Sequence, residues 1–595
     1  MCGIAGIFTY SNTSPKVSEV ELLKIRDHML ERGPDGEGLW VSENRKMGLA
    51  HRRLSILDLT GNGAQPMCSF DGRYQIIFNG EIYNFKELRT ELIERGYSFR
   101  SDSDTEVILS LYSHYGNKMC TLLRGMYAFA IYDTKADSLF LARDPFGMKP
   151  LYWHDDGKTI RFASQVKALL AGGGIKTESE PAGVVGYWIL GYVPEPYTLH
   201  KDLVNLEAGT WLKIDANGKK QSECFQSLFN FLSTSNSATS SYTELREALL
   251  DSVRHHLVSD VPVGIFLSSG IDSATILSLA RECGNPIRSI TLGFKEFKGT
   301  SADEVPLAEK IAKQNGVKHE TIWLSQKDFE NQLERYLLSM DQPTTDGLNT
   351  YLVSFATAQV GLKVALSGLG ADELFGGYPS FSQIPKIHKL GKMLAKSSNL
   401  AKLSRQISAP ALRYFISEKY AGILEYGSSW EDAYLLRRAT RMPWEIRKIE
   451  SLDKKTIEIG LEKLANLKIS NDKFKALGSS LNIISYLELT RYMRDQLLRD
   501  SDWAGMAHSV EIRLPFLDIS LIQFLVSQKN LGNTLQKRDI FMTNYPSLPD
   551  EILNRKKTGF STPIKSWVKN NLKTNKSRGL LDWQEFVFTH FHRNL

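Results

Sequence analysis

The stretch from Val263 to Ala274, VGIFLSSGIDSA, leaves this chain few folds to choose from. An apolar run ends at Leu267 and breaks into Ser268-Ser269-Gly270-Ile271-Asp272-Ser273. Ile276, Leu277, Leu279 and Ala280 then recur at helical spacing up to Cys283-Gly284. This reads as a buried strand, a phosphate loop and a helix start. Gly270 lets the backbone come close to an anion, while hydroxyls and amide N–H groups converge on the positive end of the helix. Asp272 adds the carboxylate that a magnesium-bound phosphate needs. An ordinary Gly/Ser turn after a strand has the same composition, so a second occurrence carries weight. Lys363-Val364-Ala365-Leu366 leads into Ser367-Gly368-Leu369-Gly370-Ala371-Asp372-Glu373, again a strand ending in small residues and acids. Two such strand ends in one parallel sheet can face each other across a nucleotide.

The surroundings agree with a doubly wound parallel sheet. From Thr243 the spacing of Leu245, Leu249, Val253 and Leu257 predicts a helix. A strand follows over 287–294, a helix over 302–315 ending at Gly316, and a strand over 319–324. Upstream, Tyr74 to Phe78 and Ala128 to Tyr132 are short apolar runs of the kind two packed sheets bury, and Leu206 to Ile214 reads as a last strand. Ser233 to Ser241 has the composition of a linker. At 595 residues the chain needs two or more domains. Hydrophobic content of 42% and charged content of 24% fit a soluble protein, and a net charge of +6 argues against nucleic acid as a partner. No apolar run approaches a membrane span and no signal peptide opens the sequence, which points to the cytoplasm without membrane attachment. The five cysteines are scattered and include no CxxC pair.

Cys2 stands apart. Removal of Met1 would leave it with a free α-amino group that titrates near pH 8, close to the thiol near 8.5, so the residue would carry its own base. A small residue second in the chain can also be incidental. Four stretches follow in order: Arg32-Gly33-Pro34-Asp35, His51-Arg52-Arg53-Leu54, Asn79-Gly80-Glu81-Ile82-Tyr83-Asn84 and Ser103-Asp104-Thr105-Glu106. Singly, Asn79-Gly80 is a common hairpin turn, Arg53 a surface charge and Asp104 a helix cap.

Taken together these segments make the chain resemble the glutamine-dependent asparagine synthetases. The resemblance implies a class II glutamine amidotransferase domain over residues 2–215, built as the αββα sandwich of N-terminal nucleophile hydrolases. It also implies a linker over 216–242 and, over 243–595, a synthetase domain with the doubly wound parallel sheet of the adenine nucleotide alpha hydrolase-like proteins. By the same resemblance Cys2 is the nucleophile and Asn79 and Gly80 supply the oxyanion hole. Glutamine would be held by Arg53 at its α-carboxylate and by Glu81 and Asp104 at its α-ammonium, with Asn79 alongside. Leu267, Ser268, Ser269, Gly270, Asp272, Ser273, Leu292, Ser367 and Gly368 would border ATP. Asp272 and Asp372 would hold Mg2+, and Lys557 in Arg555-Lys556-Lys557-Thr558-Gly559-Phe560 would reach the phosphates or the acyl-adenylate. The implied substrates are glutamine, ATP and a carboxylic acid, with aspartate first, and the implied assembly is a homodimer.

Four positions depart from the family pattern. Pro145 stands where a basic residue is commoner, and Gln165 replaces a frequent glutamate. Leu369 occupies a position usually held by glutamate, and Trp503 one that is commonly basic. The last two remove charge from the acceptor side, which leaves a uronic acid or another biosynthetic acid as the alternative to aspartate.

Overall fold

The computed structural model describes residues 1–11, 13–176, 178–233, 242–394, 398–412, 417–527, 551, 562–563, 567 and 579–593. Lys557 and residues 234–241 of the expected linker lie outside the described residues.

Among the described residues of the first 224, twelve strands form two antiparallel sheets. They are β1 (Gly3–Thr9), β2 (Gly36–Val41), β3 (Met47–Arg53), β4 (Met67–Cys68), β5 (Tyr74–Ile82), β6 (Gly125–Asp133), β7 (Ser138–Arg143), β8 (Tyr152–Asp155), β9 (Thr159–Ala163), β10 (Leu203–Asn205), β11 (Thr210–Ile214) and β12 (Lys220–Cys224). The first sheet runs β10-β8-β9-β1-β3-β2 and the second β12-β11-β7-β6-β5-β4. Between them Ile4, Phe8, Leu49, Ile77, Ala128, Leu141 and Phe162 make a fully buried layer. Helices Glu19–His28 and Val166–Ala171 cover the outer face of the first sheet, and Phe85–Glu94 and Asp104–Tyr115 cover the second. This is the expected αββα sandwich. The last strand read over 206–214 is corrected: it is β11 over Thr210–Ile214 alone, residues 206–209 connect it to β10 in the other sheet, and β12 follows and pairs with β11.

The third sheet is wholly parallel. Its strands are β13 (Val263–Phe266), β14 (Arg288–Phe294), β15 (Lys318–Leu324), β16 (Val364–Leu366) and β17 (Glu511–Arg513), in the order β15-β14-β13-β16-β17. Strand order reverses at β13, so the crevice at the carboxyl ends of β13 and β16 is the topological switch point where doubly wound sheets bind ligands. Both expected nucleotide loops leave the sheet there.

Polar contacts tie the two parts together. Arg124 pairs with Asp518 at 2.9 Å and Asp251 at 2.8 Å, and Lys463 pairs with Glu180 at 2.8 Å. Gln165 precedes helix Val166–Ala171 but gives it no side-chain cap. Instead Asp341, from the other half, accepts from the Val166 and Lys167 N–H groups, each at 3.0 Å. The helix end is thus capped across the domain boundary.

Candidate functional site

Cys2 lies at the mouth of β1, an inner strand of its sheet, and is buried. Its N–H donates to Asn79 Oδ1 at 2.9 Å. That bond fixes the amide so that Nδ2 is the remaining donor, and Nδ2 is buried without a hydrogen-bond partner. A buried, unpaired donor beside a thiol is the arrangement an oxyanion hole requires. Asn79 and Gly80 do not form a hairpin turn; they sit inside β5, opposite Ala128 and Tyr127 of β6. Gly80 has φ 153°, and a Cβ there would lie 2.1 Å from the Met126 carbonyl oxygen, so no other residue fits.

The groups around the thiol set its charge. Burial pushes the Cys2 thiol up, while the N-terminal ammonium, the Leu54 N–H and Arg53 pull it down. Arg53 donates through Nη1 to the Thr60 carbonyl at 2.8 Å and through Nη2 to those of Leu57 and Asp58, so it holds the 57–60 loop beside the site. Asp104 begins helix Asp104–Tyr115 and accepts from the Ile82 N–H at 2.9 Å; burial, chiefly, lifts it to about 6. Glu81 is buried close to Asp104, and burial followed by the Glu511 carboxylate drives it well above the usual range. His51 stays neutral, held down to about 3 by burial, with Nε2 3.2 Å from the Phe78 carbonyl oxygen, and offers no base.

Residues quoted in motifs but given no role turn out to frame this site. Arg32 donates through Nε to the Cys2 carbonyl at 3.1 Å and grips Asp502 of the other half with both Nη atoms, at 2.7 and 3.2 Å. Met1 is buried, its ammonium 2.9 Å from Glu511 Oε2 on β17, and its sulfur touches the Lys149 ammonium. Only the chain's long-range folding could reveal these partners, since nothing local in the sequence pairs residue 32 with residue 502.

At the switch point, Gly270 caps helix Ile271–Glu282, and the Ser268 and Ser273 hydroxyls lie 3.0 Å apart across the loop. The Gly270 N–H donates to Ser268 Oγ at 3.1 Å. The second loop presses on the first: a Cβ on Gly368 would lie 3.0 Å from Asp272 Cβ. Asp372 is the second residue of the short helix Ala371–Phe375, directly after that loop. Leu292 lines a small recess with Gly293, Phe294, Phe297, Ala302, Asp303 and Glu304 at the end of β14. Asp272 and Asp372 each lie in the first turn of the helix that follows its loop, so each loop ends beside a carboxylate. Among the described residues no group of three or more His, Cys, Asp and Glu side chains gathers as an all-protein metal cage.

Next to these loops lies a buried polar cluster. Glu373, lifted by burial to about 7, accepts from the Tyr378 hydroxyl at 2.8 Å. Arg438 pairs with Glu488 at 2.8 Å and lies over the rings of Tyr378 and Tyr492. Leu369 is partly buried and packs against the core. Trp503 is a core residue, packed against Tyr336 and Tyr351 with its Nε1 donating to Asp500 at 2.8 Å. Its loss of a basic charge is therefore also a gain of packing.

A two-sheet sandwich with a buried cysteine ahead of its first strand and an unpaired amide donor beside it, joined to a nucleotide-type parallel sheet, defines a protein of the amidotransferase-plus-synthetase class. Residues 1–225 match the model of the glutamine amidotransferase domain and residues 244–593 that of asparagine synthase. The chain is 34% identical to asparagine synthetase (glutamine-hydrolyzing) 1 of Bacillus subtilis, over 96% of this chain and 88% of that one. It is 32% identical to a putative asparagine synthetase (glutamine-hydrolyzing) of Mycobacterium bovis, over 91% and 84%. It is 26% identical to amidase chry2 of Gibberella zeae, over 98% and 94%. The chain belongs to the glutamine-hydrolysing asparagine synthetase family, ATP-dependent carbon–nitrogen ligases that take their nitrogen from glutamine. Among the described residues no helix is long and apolar enough to cross a membrane.

Proposed function

We propose that this enzyme amidates a free carboxylic acid, aspartate first, with ammonia released at Cys2 and ATP consumed to AMP and pyrophosphate. The observation that carries the reading is the double engagement of Asn79, whose Oδ1 holds Cys2 N while Nδ2 is left for the reaction. Once Met1 is removed, the Cys2 α-amine takes the thiol proton and the sulfur attacks the glutamine side-chain carbonyl. Asn79 Nδ2 and the Gly80 N–H receive the oxyanion, Glu81 and Asp104 hold the α-ammonium, and Arg53 faces the α-carboxylate. Ammonia leaves, and water hydrolyses the glutamyl thioester. In the synthetase domain the acceptor carboxylate attacks the α-phosphorus of ATP, pyrophosphate departs, and ammonia displaces AMP from the acyl-adenylate. The loops 267–273 and 367–368 with Leu292 cradle the nucleotide, and Lys557 serves the phosphates or the adenylate. Asp272 and Asp372 would hold magnesium, which draws charge from the leaving pyrophosphate. Family resemblance adds a cytoplasmic homodimer to this reading.

A second acceptor class is favoured by Leu369 and Trp503, both uncharged where a glutamate and a basic residue are commoner, and by the full-length likeness to an amidase. That class is a uronic acid or another biosynthetic acid. The test is a panel of acids given glutamine and ATP, with AMP, pyrophosphate and amide measured for each. Aspartate as the sole active acid ends the second reading; a uronic acid preferred over aspartate ends the first. In the same assay Cys2→Ala is expected to abolish glutamine use and keep synthesis from added ammonium, whereas Asp272→Ala stops both. Glutamine use that survives Cys2→Ala refutes the nucleophile.

A further inference from the structure

Arg513 belongs to the synthetase sheet, on β17, yet its side chain points into the glutamine site. It is fully buried, and each part of its guanidinium is engaged. Nε donates to Glu511 at 2.6 Å. Nη1 donates to the His256 and Val258 carbonyls, at 2.9 and 2.6 Å, where helix Tyr242–His256 ends. Nη2 lies 3.3 Å from Glu81 Oε1 but finds no aligned hydrogen-bond acceptor. The Glu81 contact is therefore an ion pair with slack in it, and three stronger bonds hold the arginine in place while that pair adjusts. Its main chain faces the other way. Arg513 pairs with Leu366 of β16, and its carbonyl accepts from the Ser367 N–H at 2.9 Å, the first residue of the loop that presses on Asp272.

We propose that Arg513 is a positioning residue shared by both sites: its guanidinium sets the place and charge of Glu81 for glutamine, and its carbonyl ties that setting to the nucleotide loop. The inference rests on the glutaminase reading given above, in which Glu81 receives the α-ammonium. Arg513 is the first of the charges that oppose the rise which burial and Glu511 impose on Glu81, with Asp104 adding to that rise; without it the carboxyl is driven further toward its protonated form, which receives an ammonium less well. Nucleotide that orders Ser367-Gly368 restrains the Arg513 carbonyl, and linkage requires the effect to run equally in both directions.

The test uses the full chain. Arg513→Lys keeps the charge and shortens the reach. It is expected to raise the glutamine KM of glutamate release by tenfold or more, leave its kcat within threefold, and leave ammonia-driven pyrophosphate release within threefold. An unchanged KM overturns the proposal, and so does a parallel fall in kcat and in ammonia-driven pyrophosphate release, which is what a merely structural arginine gives. A measurement on the unaltered chain guards against misfolding of the variant: saturating non-hydrolysable ATP analogue with Mg2+ is expected to shift the glutamine KM by threefold or more, and no shift overturns the coupling. Cys2→Ala, run alongside, separates the two failures, because glutamate release that persists there defeats the glutaminase reading itself.

Discussion

Asn79→Asp is the most telling single change at the thiol. The aspartate has the same shape, so an oxygen remains 2.9 Å from Cys2 N and keeps the nucleophile's anchor. What disappears is Nδ2, the buried donor without a partner, and what replaces it is an acceptor aimed at the developing oxyanion. Loss of one oxyanion donor costs on the order of 100- to 1000-fold in kcat, about 2.7–4 kcal/mol. Replacing the donor by an acceptor adds repulsion, so glutamate release is expected to fall by at least that factor. Asn79→Ala removes the donor and the Cys2 anchor together, adding about 1 kcal/mol for the lost hydrogen bond. Glutamate release is read by coupled assay, and pyrophosphate release from added ammonium serves as the internal control, since Asn79 lies far from the nucleotide loops in the chain and in a different sheet. If Asn79→Asp keeps glutaminase kcat within threefold of the parent, Nδ2 is not the oxyanion donor and the reasoning fails.

Two further outcomes follow from buried charge. Arg32→Ala leaves Asp502 buried without its bidentate partner; such a loss costs about 3–5 kcal/mol, seen as a fall in thermal midpoint that Asp502→Asn in the same chain partly reverses. A midpoint unchanged in Arg32→Ala refutes the cross-link. Asp500 is lifted to about 8, first by burial and then by the Asp346 carboxylate. The folded chain therefore holds a proton that the unfolded chain, with an ordinary carboxyl near 4, has lost, so stability from this group is complete at low pH and drains away between about pH 4 and pH 8. Asp500→Asn is expected to gain stability over the parent as pH rises from 5 to 8; a difference that does not change with pH counts against the assignment.

Much of the nucleotide half could be read locally. The apolar run into Ser268-Ser269-Gly270 gave β13 and the start of helix Ile271–Glu282, and Gly316 does end helix Val305–Asn315 with φ 63°. Alternation of strand and helix implied the parallel sheet, because each element carries its own period and its own stop signal. Elsewhere local signals misled or fell silent. Asn79-Gly80 has the look of a turn and is interior strand, since the pairing of β5 with β6 outweighs turn propensity. Leu206 to Ile214 reads as one strand, yet only Thr210–Ile214 is strand, and 206–209 carry the chain from one sheet to the other.

The residue types at the two candidate centres are legible in the linear chain: a thiol at position 2, an amide at 79, and small residues and acids after two apolar runs, because such chemistry depends on which atoms are present. Which charges would stand behind those atoms was decided only when the sheets packed. Arg32 reaches Asp502, Asp341 caps the helix after Gln165, and Arg513 meets Glu81. An ion pair buried between domains depends on distance and on the removal of water, and neither is written in the spacing of residues along the backbone.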